Sequence, residues 1–120
     1  MRKTTKLNPE FKLWLSQARA KSSFGDGRWQ LLKAIETEGS LRAACELLNI
    51  SYRKAWGDLK KAEEALGVKL VKRQRGGRVG GETILTEKGR KWVKAYAGFH
   101  KDIEKAVEKS YSKRTTGLLK

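Results

Sequence analysis

The sequence contains one cysteine and one histidine among its 120 residues. Cys45 cannot form an internal disulfide, which favours a reducing compartment, and we expect a cytoplasmic protein. One His and one Cys are also too few for a metal site built from those residues. We therefore predict no metal and no cofactor, with the thiol in the core and the imidazole on the surface.

Long apolar runs are also absent. No stretch of about 18 apolar residues occurs, so we expect no membrane-spanning helix. The basic segment 1–10 lacks the apolar stretch of a signal peptide. No paired acid and base, and no nucleophile with a neighbouring base, stands out in the sequence. We therefore do not expect an enzyme.

Acidic residues are few. Asp and Glu number 13 against 28 Lys and Arg, and the formal net charge is +15. Like charges oppose compaction, so this excess concerns what the surface binds rather than the fold. Nucleic acid is the leading partner and a membrane surface is the alternative. The membrane is less favoured, because the basic residues fall on a motif helix and a hairpin rather than on one amphipathic helix.

Apolar spacing and capping residues predict three helices in the first half of the chain. The first begins at Trp29, Ser40 caps a second, and Ser51 caps a third that runs to about Leu66. Asn49 tolerates the left-handed conformation that ends the second helix. Two helices joined by a turn of about three residues form a helix-turn-helix.

Short β-rich runs lie on both sides of these helices. FKLWL, residues 11–15, alternates as a half-buried strand does, and SFGDG, residues 23–27, is typical of a turn. VKLV, residues 68–71, and TILT, residues 83–86, flank a glycine-rich loop and predict a hairpin.

That loop, within RGGRVGGET at residues 75–83, nearly matches a phosphate-binding P-loop. The motif requires lysine where Glu82 stands, and a carboxylate would repel phosphates. A P-loop must also open a helix, whereas this loop joins two predicted strands. We interpret it as a wing that can lie along a phosphate backbone or probe the minor groove. Its candidate DNA contacts are Arg73, Arg75 and Arg78.

The third predicted helix presents basic residues opposite its apolar stripe. Arg53 and Lys54 sit in its first turn, where the helix dipole disfavours cations unless an anion compensates. The major groove of DNA supplies that anion to the start of a recognition helix. Gly57 on this face costs about 1 kcal/mol relative to alanine, which indicates either close approach of DNA or simple tolerance. The candidate contacts here are Ser40, Arg42, Ser51, Tyr52, Arg53, Lys54, Gly57, Lys60 and Lys61, of which the first two would hold phosphates.

A last helix, capped by Thr86 and ending near Tyr111, carries a broad apolar stripe. Spacings of four and three are typical of a coiled-coil seam. One strip of it could pack on the domain's own core and the rest on a second copy, or the whole stripe could be intrachain core. The predicted dimer interface comprises Trp92, Tyr96, Phe99, Ile103, Ala106 and Val107.

The domain prediction follows from these elements. We expect a basic N-terminal arm at residues 1–10, a winged helix-turn-helix domain at residues 11–111 that includes the C-terminal dimerisation helix, and a flexible basic tail at residues 112–120. The fold class is mainly α with a small β hairpin.

GSLRAACELLNISYRKAW, residues 39–56, followed by LVKRQRGGRVGGETILTEKG, residues 70–89, resembles the DNA-binding domain of molybdate-responsive, ModE-like transcriptional regulators, a relative of the LysR-type winged helix. The resemblance implies a cytoplasmic homodimer on a palindromic operator, with the last helix as a principal dimer contact. Molybdate-sensing members carry C-terminal oxyanion-binding domains, whereas this sequence ends at Lys120. The implied function is therefore DNA binding, and the molybdate response is doubtful.

We predict a sequence-specific regulator that binds double-stranded DNA, with recognition helix 51–66 in the major groove and wing 72–82 on the backbone or in the minor groove. The alternative is an architectural nucleic-acid-binding protein without base readout, for which the charge alone would suffice.

Overall fold

A computed structural model describes residues 6–17, 22–75 and 82–118. Within these ranges the chain is mainly helical, as the sequence predicts, and it contains two small antiparallel sheets, of which the second is the predicted hairpin. No helix in the described ranges is long and apolar enough to cross a membrane. The elements are, in chain order, β1 (Trp14–Ser16), β2 (Ser22–Gly25), α1 (Asp26–Glu38), α2 (Leu41–Leu48), α3 (Tyr52–Leu66), β3 (Val71–Gln74), β4 (Glu82–Leu85) and α4 (Glu87–Thr115).

The predicted helix-turn-helix is confirmed. The side chain of Ser40 accepts a hydrogen bond from the backbone of Ala43 at 3.1 Å, at the start of α2. Asn49 ends α2 in the left-handed conformation, with φ of 57°. The side chain of Ser51 then accepts from the backbone N–H of Lys54 at 3.0 Å. Each cap satisfies an amide that the first turn of a helix leaves unpaired.

The start of α1 differs from the prediction. The segment predicted as a turn forms β2 and the first turn of α1, which begins at Asp26. Phe24 is 1% exposed and belongs to the core, while Gly25 pairs with Trp14 of β1. A Cβ on Gly25 would lie 3.0 Å from the Cβ of Trp14, so the glycine permits close strand approach. The pairing of this segment with β1 therefore determines its conformation, although its residues locally favour a turn.

The predicted hairpin is confirmed, but its first strand begins later. β3 and β4 pair with Val71 opposite Leu85. The strand begins at Val71 rather than Val68. Just at that point the carboxylate of Glu63 in α3 accepts hydrogen bonds from the backbone N–H groups of Leu70 and Val71, at 2.7 and 3.2 Å. These contacts tie the base of the hairpin to α3.

The loop between β3 and β4 joins two strands and is followed by α4, which begins only after Thr86. This order agrees with the interpretation of the loop as a wing rather than a P-loop. The loop tip, residues 76–81, lies outside the described residues.

The core surrounds α1. Leu31, Leu32 and Ile35 of this helix are almost completely buried. They meet buried residues of every other helix, including Leu59 of α3 and Tyr96 of α4. A cluster of aromatic rings formed by Phe24, Trp29, Trp92 and Tyr96 closes one end of the core.

The predicted degree of burial is confirmed for the lone cysteine and wrong for the lone histidine. Cys45 is buried, as predicted, and burial raises the pKa of its thiol, while the positive charge of Arg42 lowers it. His100 is not on the open surface: its side chain is 23% exposed, with Nε2 3.8 Å from Oδ1 of Asp26. Its ring lies 5.0 Å from those of Phe11 and Trp29. The prediction of a surface imidazole was wrong, because the contacts that bury it come from distant parts of the sequence.

The first half of α4 packs against the rest of the domain. Thr86 accepts a hydrogen bond from the backbone of Gly89 at 2.9 Å and donates one to the carbonyl of Lys69 at 2.6 Å. The buried residues of α4 are Gly89, Val93 and Tyr96. The helix continues to Thr115, past the predicted end near Tyr111, so the predicted tail at residues 112–120 begins too early. Basic residues in the last turn stabilise this extension by interacting with the helix dipole.

Candidate nucleic-acid interface

The exposed face of α3 is basic. Ala55, Leu59 and Ala62 are buried against the core, which turns the opposite side of the helix to solvent. The residues exposed there include Arg53, Lys54, Gly57, Lys60 and Lys61. The structure therefore brings the predicted contacts of this helix together on one accessible surface. A Cβ on Gly57 would meet no atom within 4 Å, so intrachain packing does not explain this glycine.

The beginnings of α2 and α3 are coupled by stacking. The guanidinium carbon of Arg42 lies 5.3 Å from the ring centre of Tyr52, within the range of a cation–π contact. The Tyr52 ring in turn meets Trp56 edge to face at 6.2 Å. Both Arg42 and Tyr52 remain exposed. Two predicted contacts from different helices thus form one unit beside the start of α3.

Ser40 and Ser51 act first as caps. Each side-chain oxygen accepts a backbone hydrogen bond. A serine hydroxyl also carries one hydrogen that it can donate. Capping therefore leaves each of them able to donate to a phosphate oxygen, the role that the sequence assigns to Ser40.

An acidic side chain lies at the edge of the basic face of α3, on the side of α1. Oδ2 of Asp58 is 3.1 Å from Nζ of Lys54, and Oδ1 is 3.5 Å from a guanidinium nitrogen of Arg28 in α1. Sequence reasoning missed Asp58 and Arg28. The spacing of four between Lys54 and Asp58 could have indicated the first pair, but the second requires the fold.

The wing places further cations beside α3. Lys72, Arg73 and Arg75 are exposed on or just after β3, and Arg73 pairs with Thr83 across the hairpin. Arg78 lies outside the described residues. The Glu63 carboxylate holds the base of this wing against α3, a role that the sequence did not reveal. It keeps two basic elements next to each other.

The residues predicted for the dimer interface fall into two groups: those up to Tyr96 pack inside the domain, and those after it do not. This side chain is 1% exposed, and its hydroxyl lies 3.0 Å from the carbonyl oxygen of Leu13 and 2.9 Å from Oδ1 of Asp26. Its assignment to a dimer interface is corrected, because these polar partners and the aromatic cluster hold it inside its own domain. Trp92 is half-buried against Phe24.

The later part of the stripe points away from the core. Phe99 is 41% exposed, Ile103 and Val107 are half-buried and Ala106 is exposed. Because α4 contains 29 residues, it is about 43 Å long, and all of its fully buried residues precede residue 97. Its second half therefore carries apolar side chains without complete intrachain cover.

Comparison with known proteins identifies the domain. Residues 27–90, from α1 to the first turn of α4, match the family described as bacterial regulatory helix-turn-helix protein, lysR family. The molybdenum transport protein ModE of Azotobacter vinelandii is 35% identical over 73% of this chain and 33% of its own length. The molybdenum-pterin-binding protein MopB of Rhodobacter capsulatus is 32% identical over 74% of this chain and 33% of its own.

A third relative is described as the DNA-binding transcriptional dual regulator ModE of Escherichia coli, which is 33% identical over 58% of this chain and 26% of its own length. The chain thus spans about a third of the length of the curated relatives that it matches, or less. The residues that match the family model, 27–90, contain the three serine and threonine caps, α3 and the β3–β4 hairpin described above. These ModE proteins are what the chain is similar to over part of their length. The family model shows that the chain belongs to the lysR family of bacterial regulatory helix-turn-helix proteins.

Proposed function

We propose that this protein is a dimeric, cytoplasmic transcriptional regulator that reads a specific sequence in double-stranded DNA. Its α3 enters the major groove, and its wing lies on the backbone or in the minor groove. The proposal rests mainly on the exposure of Arg53 in the first turn of α3, on the basic face of that helix. The chain also belongs to a family of regulatory proteins. A cation at a helix start is locally unfavourable, and an anionic partner compensates it.

The arrangement of side chains supports distinct roles. Tyr52, Arg53 and Lys54 stand at the end of α3 that enters the groove first in helix-turn-helix proteins. Ser40 and Arg42 stand at the start of α2, where they would fix the register by binding phosphates. Lys60 and Lys61 lie further along α3 and would meet the groove walls.

The wing would bind without reading bases. Arg73 and Arg75 are exposed, Arg73 lines a groove together with Trp56 of α3, and Glu63 ties the base of the hairpin to that helix. Contacts from such arginines to phosphates strengthen binding to every sequence alike. Arg78 belongs to the same proposed surface.

The part of α4 beyond Tyr96 supports a dimer. Its stripe of Phe99, Ile103, Ala106 and Val107 offers an apolar surface that a second copy would cover. A two-fold dimer presents two recognition helices about 34 Å apart, one turn of the double helix, and so matches a palindromic operator. Membership in a regulatory family supports a binding protein rather than an enzyme.

The roles of helix and wing can be separated by two matched arginine variants. Arg53→Ala should cost about 1 to 3 kcal/mol on the preferred site and relax the preference at one base pair. Arg75→Ala should weaken binding to preferred and scrambled duplexes by the same factor and reduce the salt dependence by about one counterion. Equal weakening of both duplexes by both variants would contradict base readout and favour an architectural protein.

A further inference from the structure

Asp58 is an unusual side chain for a surface that meets DNA. Its half-buried side chain lies at the edge of the basic face of α3, between Lys54 and Arg28 of α1, and a carboxylate close to DNA repels phosphates. Its side chain is 25% exposed, and both of its oxygens face cations. A residue needed only for solubility would not require two partners on two different helices.

The two ion pairs have different environments. Arg28, on α1, is 19% exposed at its side chain, whereas Lys54 is 62% exposed. The Arg28 contact therefore fixes Asp58 from the side of the core, and Asp58 then holds the ammonium group of Lys54 on the outer surface. A free lysine side chain samples many rotamers, so this anchoring restricts where its charge can be.

Lys54 keeps hydrogen-bond donors that are available to a DNA base. An ammonium group has three donors, and Asp58 accepts one of them at 3.1 Å. Two donors remain, and guanine presents two acceptors, O6 and N7, at its major-groove edge. The negative charge of Asp58 also disfavours a phosphate beside the same ammonium.

We propose that Asp58 is a specificity-determining positioning residue, which holds Lys54 for bidentate recognition of one guanine in each half-site and suppresses its binding to phosphates. The inference rests on the proposed function and deepens it. Arg28 supports the arrangement by anchoring the carboxylate to α1.

The test is the Asp58→Asn variant, which keeps the size of the side chain and removes its charge. Duplexes bound by wild type and variant would be selected from a random library at the same salt concentration, and affinities for the best site and a scrambled duplex would be measured. We expect the variant to lose its guanine preference at one position of the half-site, with the ratio of the two affinities falling by about fivefold or more. Binding to the scrambled duplex should become tighter.

Glu64→Gln provides the matched control. Glu64 is exposed on the same helix, and its replacement changes the net charge by the same amount. We expect this control to shift both affinities by one factor and to leave the selected sequence unchanged. If Asp58→Asn behaves in the same way, or lowers both affinities together with the melting temperature, the positioning role is wrong while sequence-specific binding stands.

Two further outcomes separate the possibilities. If the wild type shows no sequence preference, the proposed function fails and this inference fails with it. In a Lys54→Gln background, Asp58→Asn should cause no further loss of preference, because Asp58 acts through Lys54. Should Asp58→Asn not fold, Lys54→Gln alone gives the test: retention of every guanine in its selected motif would overturn the proposal.

Discussion

The hydroxyl oxygen of Tyr96 lies 2.9 Å from Oδ1 of Asp26, so a side chain of the last helix is fixed to the first turn of the first. The same hydroxyl lies 3.0 Å from the carbonyl oxygen of Leu13. Because a buried hydroxyl without a partner is costly, these contacts define where α4 leaves the core. The apolar residues beyond this point are the ones left for a second copy.

Tyr96→Phe should remove the one hydrogen that this hydroxyl donates to the two oxygens, and should keep the ring in the aromatic cluster. We expect the free energy of unfolding to fall by about 1 to 2 kcal/mol, since the polar partners lose a buried donor. Urea unfolding of the variant would measure this. Tyr111→Phe, at a half-buried position of the same helix, should change it much less, and an equal loss in both variants would contradict the role of the Asp26 contact.

The same tyrosine predicts a loss of stability at high pH. Burial, and then the hydrogen bond to Asp26, raise the pKa of Tyr96 above its usual value. A group with a raised pKa in the folded state stabilises the protein fully below its unfolded pKa, near 10 for tyrosine, and that stabilisation is lost as the pH rises further.

The stability difference between wild type and Tyr96→Phe should therefore shrink above about pH 10, by up to about 1.4 kcal/mol per pH unit. Unfolding by urea at a series of pH values checks this, and the subtraction removes the titration of lysines common to both proteins. A difference that stays constant across this range would show that Tyr96 titrates as an exposed phenol does.

Gly89→Ala tests how the wing joins the last helix. A Cβ at this position would overlap the carbonyl oxygen of Leu70, which is backbone and also accepts a hydrogen bond from Thr86 at 2.9 Å. We expect destabilisation of about 2 kcal/mol or more, as in overpacked cores. Gly98→Ala is the control, because its Cβ would meet nothing within 4 Å, and helix propensity should then stabilise the protein by up to about 1 kcal/mol. Equal melting temperatures for the two variants would refute the close contact.

Gly57→Ala should separate stability from DNA binding. Its Cβ has open space in the protein alone, so we expect a gain of up to about 1 kcal/mol in the free energy of unfolding. If DNA approaches this face closely, affinity for the preferred site should nevertheless fall. Thermal melting and a binding titration on the same samples decide between the two explanations of this glycine, and unchanged affinity would favour simple tolerance.

Ile103→Glu addresses the proposed dimer. Ile103 lies in the part of α4 beyond the core, so a charge there should disrupt a seam between copies without unfolding the domain. Sedimentation equilibrium should show a shift from dimer to monomer, at an unchanged helix content. Lys101→Gln, exposed on the same helix, makes the same change in net charge and should leave the dimer intact. A variant Ile103→Glu that remains dimeric would place the interface elsewhere.

Local signals predicted the helix-turn-helix well. Ser40, Ser51 and Thr86 cap helices through hydrogen bonds that span three residues, and Asn49 adopts a conformation that few residues tolerate. Such features depend on neighbours in sequence, so a pattern of residues reveals them. The same holds for the basic face of α3, which follows from helical periodicity.

Contacts between residues distant in sequence were not predicted. Phe24 lies in β2 and pairs with Leu15 of β1, although the residues next to it in sequence are typical of a turn. The division of the α4 stripe at Tyr96 depends on Asp26, which is distant in sequence. Arg28 reaches Asp58 only because α1 packs beside α3. In each case a partner from elsewhere in the fold decides the outcome, and periodicity along one element carries no information about it.

Selection of bound duplexes from a random library at about 150 mM salt is the most direct test of whether this protein reads a DNA sequence. We expect a palindromic motif with half-sites about one helical turn apart, bound about 10³-fold or more tightly than scrambled DNA. Recovery of no motif, with affinity that falls steeply with salt for every duplex, would contradict it and indicate a basic protein that coats DNA without reading it.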